Sequence, residues 1–401
     1  MANGLSLGSF SRPGRSVTAP PRAGWRSPHP PRYPPWGGSV QSEDLVPTSK
    51  RLRPPVVAVT GAASGLGRAF LAKVASSADF RRVVAIDEQR GDIPDVTWRV
   101  LDIRDPLLAN RISDVDVLVH LGTDESLDTD HAERRRYNLR AAQTVLTACA
   151  AARVRRVVLV TSAMVYGAAA DNPVPLPEDA PVAAEPDTGL VGDHLEIEAL
   201  VRRSLRAHPG LEVTVLRPAA LVGPGVDTVI TRHFEAPRLL VVKGCLPRWQ
   251  FCHVDDLVSA LEAAALGRVG GVVAVGSEGW LEMEQVEEIS GLKRFELPAG
   301  VTFGTAQRLH RLGITPTAAT DLHYVVYPWV VDGVALREAG WKATWTNEAA
   351  LRELLELCEG RHAVVGRRLS GKEATITAAG ATVAVIGTAA IVRAARRKRR
   401  T

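Results

Sequence analysis

The stretch that decides the fold is Val56-Val57-Ala58-Val59-Thr60-Gly61-Ala62-Ala63-Ser64-Gly65-Leu66-Gly67. Its first four residues are wholly apolar, which is typical of a strand buried on both faces of a parallel sheet. A glycine-rich turn follows, and residues 68–74 have the apolar face of a helix. In such a unit the backbone can approach a pyrophosphate, and the helix N-terminus binds that anion. The stretch predicts a dinucleotide site, with an ordinary tight turn as the alternative.

Two carboxylates farther along the chain favour the dinucleotide interpretation. Residues 83–87 form a second apolar run that ends at Asp87, 20 residues after the last glycine of the turn. A carboxylate there can accept hydrogen bonds from both ribose hydroxyls of an adenosine. A third run, residues 100–103, places Asp102 within reach of the adenine. Because Asp87 and the adjacent Glu88 repel a 2′-phosphate, the sequence favours NAD over NADP.

Strand and helix patterns alternate through residues 54–276, which predicts an α/β protein with a doubly wound parallel sheet, the Rossmann fold. We assign these residues to the NAD-binding domain, and residues 277–360 to a smaller C-terminal substrate lobe with return helices. Within that lobe, residues 277–330 are expected to have little regular pattern. Ligands of doubly wound sheets bind past the carboxyl ends of the strands. That is where the candidate site residues of this region fall: Gly61, Asp87, Asp102, Gly122 and Ser162.

The two ends of the chain differ in composition from its centre. Residues 1–53 are rich in proline and arginine without an apolar period, and we expect a disordered tail. Residues 374–392 form a 19-residue run without a charge, which just reaches the length of a hydrophobic membrane helix, and the basic tail 393–401 follows. A helix in the cytoplasmic membrane interface and a surface tail are the alternatives. We expect a cytoplasmic domain that is membrane-associated through residues 374–400.

The central part of the chain is acidic although the whole chain is basic. Residues 54–360 carry 31 Lys and Arg against 41 Asp and Glu, so the basic balance belongs to the two tails. An acidic folded part argues against binding to nucleic acid. The cysteines show no paired spacing and no accompanying histidine pattern, so the sequence predicts no metal site.

Residues 55–358 resemble the extended short-chain dehydrogenase/reductases, the NAD-dependent epimerase/dehydratase family. The likeness rests on the glycine turn, on His120-Leu121-Gly122 after the fourth strand, and on Thr161-Ser162-Ala163-Met164-Val165-Tyr166-Gly167. Extended members usually have glycine where Ser64 stands, whereas Gly65 fits the spacing of shorter members. The resemblance implies NAD as the cofactor and a nucleotide sugar or related small molecule as the substrate. A homodimer is a further expectation.

The resemblance also implies roles for individual residues. Ser162 stands at the family's catalytic serine, and Asn138 matches the helix asparagine that keeps the active-site geometry. The positions expected to bind the cofactor are Gly61, Ser64, Gly65, Leu66, Gly67, Asp87, Asp102, Ile103, Leu121, Gly122, Asn138 and Arg217.

The chain departs from the family at its Tyr-x-x-x-Lys pair, in which the tyrosine moves the proton and the lysine lowers its pKa. Leu190 stands in place of the tyrosine and His194 in place of the lysine. His194 could act as an acid/base because its unperturbed pKa is about 6.5, or it could be a partly exposed helix histidine bonded to the ribose or to nothing. Ser162 either takes part in catalysis or is a remnant of the family's sequence signature without a catalytic role. Two functions stay open: an epimerase/dehydratase/oxidoreductase with altered catalytic residues, or a catalytically silent NAD(H)-sensing or scaffold protein at the membrane.

Overall fold

A computed structural model describes residues 53–63, 65–245, 247–311, 319–361, 363–364 and 367–368. The predicted membrane segment 374–392, the basic tail, and the predicted disordered tail apart from Arg53 lie outside these residues, as does Ser64. Within the described part of the chain, no helix has the length and apolar character needed to cross a membrane.

The bounds of the regular elements follow the alternation that the sequence predicts. The strands are β1 (Val56–Thr60), β2 (Arg82–Asp87), β3 (Thr97–Val100), β4 (Val117–His120), β5 (Arg156–Val160), β6 (Glu212–Pro218), β7 (Ala220–Val222), β8 (Leu239–Val242), β9 (Phe251–His253), β10 (Gly271–Val275) and β11 (Arg294–Leu297). The helices are α1 (Gly65–Ala75), α2 (Leu108–Arg111), α3 (His131–Ala152), α4 (Leu190–Ala207), α5 (Val229–Phe234), α6 (Val254–Ala265), α7 (Met283–Ser290), α8 (Ala299–Arg311), α9 (His323–Val326), α10 (Val334–Glu338) and α11 (Asn347–Cys358).

Seven parallel strands form the central sheet in the order β10-β6-β5-β4-β1-β2-β3. The order reverses between β1 and β4, and a crevice opens past the strand ends at such a point. The register aligns Thr60 with Ile86 of β2 and with His120 of β4. The segments that leave these strands therefore meet at one edge of the sheet. The predicted doubly wound parallel sheet is confirmed.

Successive residues of β1 pack on opposite faces of the sheet, as the two-residue period of a strand requires. Val57 and Val59 belong to a buried cluster that includes Phe70 of α1. Val56 and Ala58 belong to a second cluster that includes residues of α3 and α4. Both faces are thus covered by helices, which explains why the strands are continuous apolar runs rather than alternating ones.

Two expectations from the sequence are wrong in detail. The third strand spans Thr97–Val100 and not residues 100–103, so Asp102 lies in the turn beyond it. β3 is the edge strand of the sheet and is only partly buried, and its sequence therefore lacks the apolar run of the central strands. Residues 277–330, expected to have little regular pattern, contain β11 and the helices α7, α8 and α9.

Candidate cofactor site and active site

The glycine turn after β1 is packed so tightly that side chains cannot replace Gly61 or Gly67. Gly61 has a φ of +67°, and a β-carbon there would lie 2.6 Å from the Cα of Gly122. A β-carbon at Gly67 would lie 1.9 Å from the carbonyl oxygen of Gly61. The first turn of α1 therefore touches the backbone of the turn, and the turn touches the segment after β4. Gly65 (φ +53°) is open on its side of the turn, and Leu66 packs against the core.

Asp87 lies at the end of β2, beside the glycine turn. Its carboxylate accepts hydrogen bonds from the backbone N–H of Ala63 (3.0 Å) and of Gln89 (3.2 Å). The first bond ties the carboxylate directly to the turn, and Asp87 keeps intermediate exposure. The structure thus brings together the two features on which the sequence predicted a dinucleotide site.

Asp102 is paired with an arginine that sequence reasoning did not single out. Arg104 donates from Nε to Oδ1 (2.8 Å) and from Nη2 to Oδ2 (2.7 Å), and these bonds lower the pKa of Asp102. The guanidinium also lies over the ring of Tyr137, 4.8 Å from its centroid, and 3.4 Å from Glu88. Arg104 therefore pairs with Asp102 and with Glu88, at the end of the site predicted to bind the adenosine. The only sequence signal was an arginine two residues after Asp102.

The segment after β4 forms the opposite wall. A β-carbon at Gly122 would lie 2.7 Å from Cδ1 of Ile103, which is 3 % exposed. Leu121 is partly buried against the core. Beneath them the buried Thr60 hydroxyl lies 2.7 Å from Nδ1 of His120, which joins the ends of β1 and β4, and burial lowers the pKa of His120 to about 4.

Asn138 of α3 uses its side chain to hold the loop after β4. It accepts from the backbone N–H of Asp124 (2.8 Å) and donates to the carbonyl of the same residue (2.9 Å). Its amide also lies 3.2 Å from Oδ2 of Asp193 on α4. These three bonds make Asn138 a positioning residue that connects the loop to α4; its predicted contact with the cofactor stays a prediction.

The first turns of α4 carry the departure from the family pattern. Asp193 is fully buried and binds Nε of Arg134 (3.1 Å). His194 is 3 % exposed, and neither ring nitrogen has a hydrogen-bond partner among the described atoms. Burial, with a smaller effect from the charge of Arg134, lowers the pKa of His194 to about 4, so the ring is neutral at pH 7. The expectation of a partly exposed histidine is wrong.

Ser162 follows β5 and begins the short helical turn Ala163–Tyr166, against which α4 packs. Its hydroxyl oxygen accepts from the N–H of Met164 (3.1 Å), which leaves the O–H proton available to a ligand. The neighbouring Thr161 hydroxyl donates to Glu198 (3.0 Å), one helical turn beyond His194 on the same face of α4. That bond connects the residue before Ser162 to α4, the helix that carries His194.

Arg217 lies in the interior, where its charge is already paired. It is 1 % exposed and donates to both carboxylate oxygens of Glu198, with Nε 2.9 Å from Oε1. Its guanidinium also lies 4.6 Å from the ring centroid of Tyr166. The described contacts of Arg217 are structural, and its predicted role in cofactor binding stays a prediction.

A cavity of about 230 Å³ opens between the turn after β5 and the segment before α9. Tyr166 lines it, but its hydroxyl donates to the carbonyl of Glu178 (2.7 Å) and burial raises its pKa, so it does not act as a base at neutral pH. The polar residues of the wall are Tyr166, Asn172, Glu185, Asp187, Thr320, His323 and Tyr324. The described residues hold no group of three or more His, Cys, Asp or Glu side chains that could bind a metal ion.

Comparisons with known proteins agree with this architecture. The sequence model of the NAD dependent epimerase/dehydratase family matches residues 57–276. An uncharacterized protein of Mycobacterium tuberculosis is 31 % identical over 311 residues, which cover 74 % of this chain and 82 % of that protein.

Among solved structures, MoeE5 in complex with UDP-glucuronic acid and NAD aligns with a TM-score of 0.56 at 24 % identity, over 75 % of this chain and 97 % of that one. WbmG of Bordetella bronchiseptica, in complex with NAD and UDP, aligns with a TM-score of 0.56 at 20 % identity, over 77 % of this chain and 95 % of that one. These likenesses show the fold. Together with the match over more than half of the sequence, they lead to one assignment: the chain belongs to the NAD-dependent epimerase/dehydratase family.

Proposed function

We propose that the protein binds NAD and acts on a nucleotide sugar, as an epimerase/dehydratase/oxidoreductase whose proton-transfer residues differ from those of its family. The observation that carries the proposal is the glycine turn in backbone contact with both α1 and the segment after β4, with Asp87 bonded to it. The turn is open at Gly65, where a β-carbon would meet nothing within 4 Å, and a pyrophosphate can approach the backbone on that side. The similar MoeE5, in complex with UDP-glucuronic acid and NAD, and WbmG, in complex with NAD and UDP, support the proposal.

The residues present fit the cofactor. The N–H groups at the start of α1 would bind the pyrophosphate, and Asp87 would accept the adenosine ribose hydroxyls. Bound NAD would supply the hydride acceptor. Ser162 has an O–H free to donate to a substrate oxygen. His194 is buried, and neither of its ring nitrogens reaches the surface. The cavity beside Tyr166, with its acidic and hydroxyl groups, would hold the sugar.

Asp87 provides the direct test of the cofactor half. Asp87→Ala is expected to weaken NADH binding about 10- to 100-fold, because hydrogen bonds to a charged group contribute about 1.5–3 kcal/mol. The loss for NADPH should be smaller, since the change also removes a charge that repels the 2′-phosphate. Calorimetric titration gives both affinities. Asp92→Ala, which removes an exposed aspartate bonded to Arg68, is the matched control; equal affinity in both variants would refute the ribose assignment.

A second candidate is a catalytically silent NAD(H)-sensing or scaffold protein at the membrane. Leu190 carries no proton, and the lowered pKa of His194 keeps that ring from serving as a cation at pH 7. Turnover of UDP-glucose and UDP-glucuronic acid by the wild-type protein supports the enzyme. Bound NADH without turnover, together with a proteolytic pattern that changes on adding NADH, supports the sensor.

We propose that residues 374–400 hold a cytoplasmic protein at the membrane. Removing residues 372–401 is expected to move it to the soluble fraction after ultracentrifugation without changing NADH affinity, because the predicted cofactor residues all precede residue 218. High salt should release an interfacial helix, since exposed charges are screened within about 8 Å even at physiological ionic strength. A spanning helix should require detergent. Full-length protein already found in the soluble fraction contradicts the assignment. The homodimer stays a prediction.

A further inference from the structure

The loop after β4 carries a carboxylate that none of the contacts described above uses. Glu125 lies five residues past the end of β4, and its side chain has no hydrogen-bond or salt-bridge partner in the described part of the chain. The residue keeps intermediate exposure while protein surrounds it closely. The carboxylate is therefore shielded from much of the solvent, and no charged partner in the described part of the chain offsets that loss.

The loop is held at two points just before Glu125. Its start, Gly122, is in backbone contact with Gly61 of the glycine turn. Both backbone groups of Asp124, the residue before Glu125, are held by Asn138. Asn138 in turn bonds to Asp193 at the first turn of α4. Glu125 is therefore placed between the proposed pyrophosphate site and the N-terminal end of α4.

That end of α4 is where a proton acceptor is missing. Leu190 is the first residue of the helix and has no group that can take a proton. His194 is one turn farther, roughly 6 Å along the helix axis. Tyr166 donates its hydroxyl to a carbonyl, as does Tyr324, whose hydroxyl donates to the carbonyl of Met164 (2.8 Å). Two carboxylates near this end have no hydrogen-bond or salt-bridge partner in the described part of the chain. Glu185, in the cavity wall, is exposed, whereas Glu125 is half-buried in the loop that Asn138 ties to α4.

We propose that Glu125 is the general acid/base of this active site, in place of the family's tyrosine. The inference rests on the proposed function. A sugar hydroxyl would give its proton to the Glu125 carboxylate. Bound NAD would supply the acceptor for the hydride of the carbon that bears this hydroxyl, which leaves a ketone. In the reverse direction, protonated Glu125 would return the proton to the ketone oxygen as the hydride returns to the carbon.

The electrostatics suit that role. Desolvation, and then the neighbouring carboxylate of Asp124, raise the pKa of Glu125 to about 7. A general base works best when its pKa is near the working pH. His194, with a pKa of about 4, is a far weaker base and holds no proton to return at neutral pH.

The test compares Glu125→Gln with the wild-type protein on UDP-glucose in the presence of NAD. We expect kcat to fall about 10²- to 10⁴-fold, the range for losing a general acid/base, with unchanged NADH affinity. In the wild type the rate should fall as the pH drops below about 7, because the base must be ionised. Asp124→Asn should shift this fall in rate to lower pH, because it removes a negative charge beside Glu125. Glu133→Gln, at an exposed glutamate of α3, is the matched control.

A second readout does not depend on turnover. Difference infrared titration of the cofactor-free protein should show a carboxylic acid that ionises near pH 7 and is absent from Glu125→Gln. Three results would overturn the inference while leaving the proposed function intact. They are a Glu125→Gln rate within twofold of the wild-type rate, a fall in rate below pH 7 that disappears in His194→Ala instead of Glu125→Gln, and the absence of the carboxyl signal. Wild-type protein that binds NADH, shows the carboxyl signal and turns over neither UDP-glucose nor UDP-glucuronic acid contradicts the proposed function, and the catalytic role of Glu125 with it.

Discussion

Replacing Gly67 with alanine is expected to abolish NADH binding, a loss of at least about a hundredfold in affinity. The added β-carbon would lie 1.9 Å from the carbonyl oxygen of Gly61. The oxygen belongs to the backbone and cannot rotate away, so α1 or the turn has to move, and the N–H groups at the start of the helix leave the pyrophosphate site. Calorimetric titration measures the affinity, and circular dichroism shows whether the fold survives.

Gly210→Ala is the matched control for this change. Gly210 has no positive φ, and a β-carbon there meets nothing within 4 Å. We expect wild-type affinity and a Tm within a few degrees of wild type. A Gly67→Ala protein that bound NADH as tightly as the control would show that the turn does not hold the cofactor.

The second large effect is on stability. Arg217→Ala is expected to lower the free energy of unfolding by about 3–5 kcal/mol, because it leaves a buried carboxylate without its partner. Glu198 is fully buried and accepts from Nε of Arg217 at 2.9 Å. Arg202, 3.8 Å from the same carboxylate, offsets part of the loss and favours the lower end of that range. Urea unfolding followed by circular dichroism measures the difference.

A double variant separates pairing from packing at this position. Replacing both partners, Glu198→Leu with Arg217→Met, removes the two charges together and should recover most of the lost stability, since apolar residues of similar volume often replace a buried ion pair without cost. If Arg217→Ala alone costs less than about 1 kcal/mol, the pair contributes little and the guanidinium is available for another role, including the predicted cofactor contact.

The fold was readable from the sequence because the central strands are buried on both faces. β1, β4 and β5 are continuous apolar runs, and the glycine turn and Asp87 follow their strands at the spacing that a dinucleotide needs. β3 was misplaced because an edge strand exposes part of its surface and has no such run. Local sequence thus predicts the centre of the sheet better than its edge.

The interior of the candidate site was less predictable because its polar residues are paired across long separations. The polar sequence around Asp193 and His194 suggests an exposed helix, yet both are buried, since Arg134 of α3 supplies the charge that Asp193 needs. The pairing of Arg104 with Asp102 and Tyr137 depends on how α3 packs beside the turn. The raised pKa of Glu125 likewise arises from the folded surroundings and from Asp124.

The central claim is that the chain binds NAD at the glycine turn beside Asp87. Calorimetric titration of the full-length wild-type protein with NADH, and separately with NADPH, tests it most directly. We expect one NADH site per chain and weaker binding of NADPH, because Asp87 and Glu88 repel a 2′-phosphate. A protein that binds neither nucleotide contradicts the account.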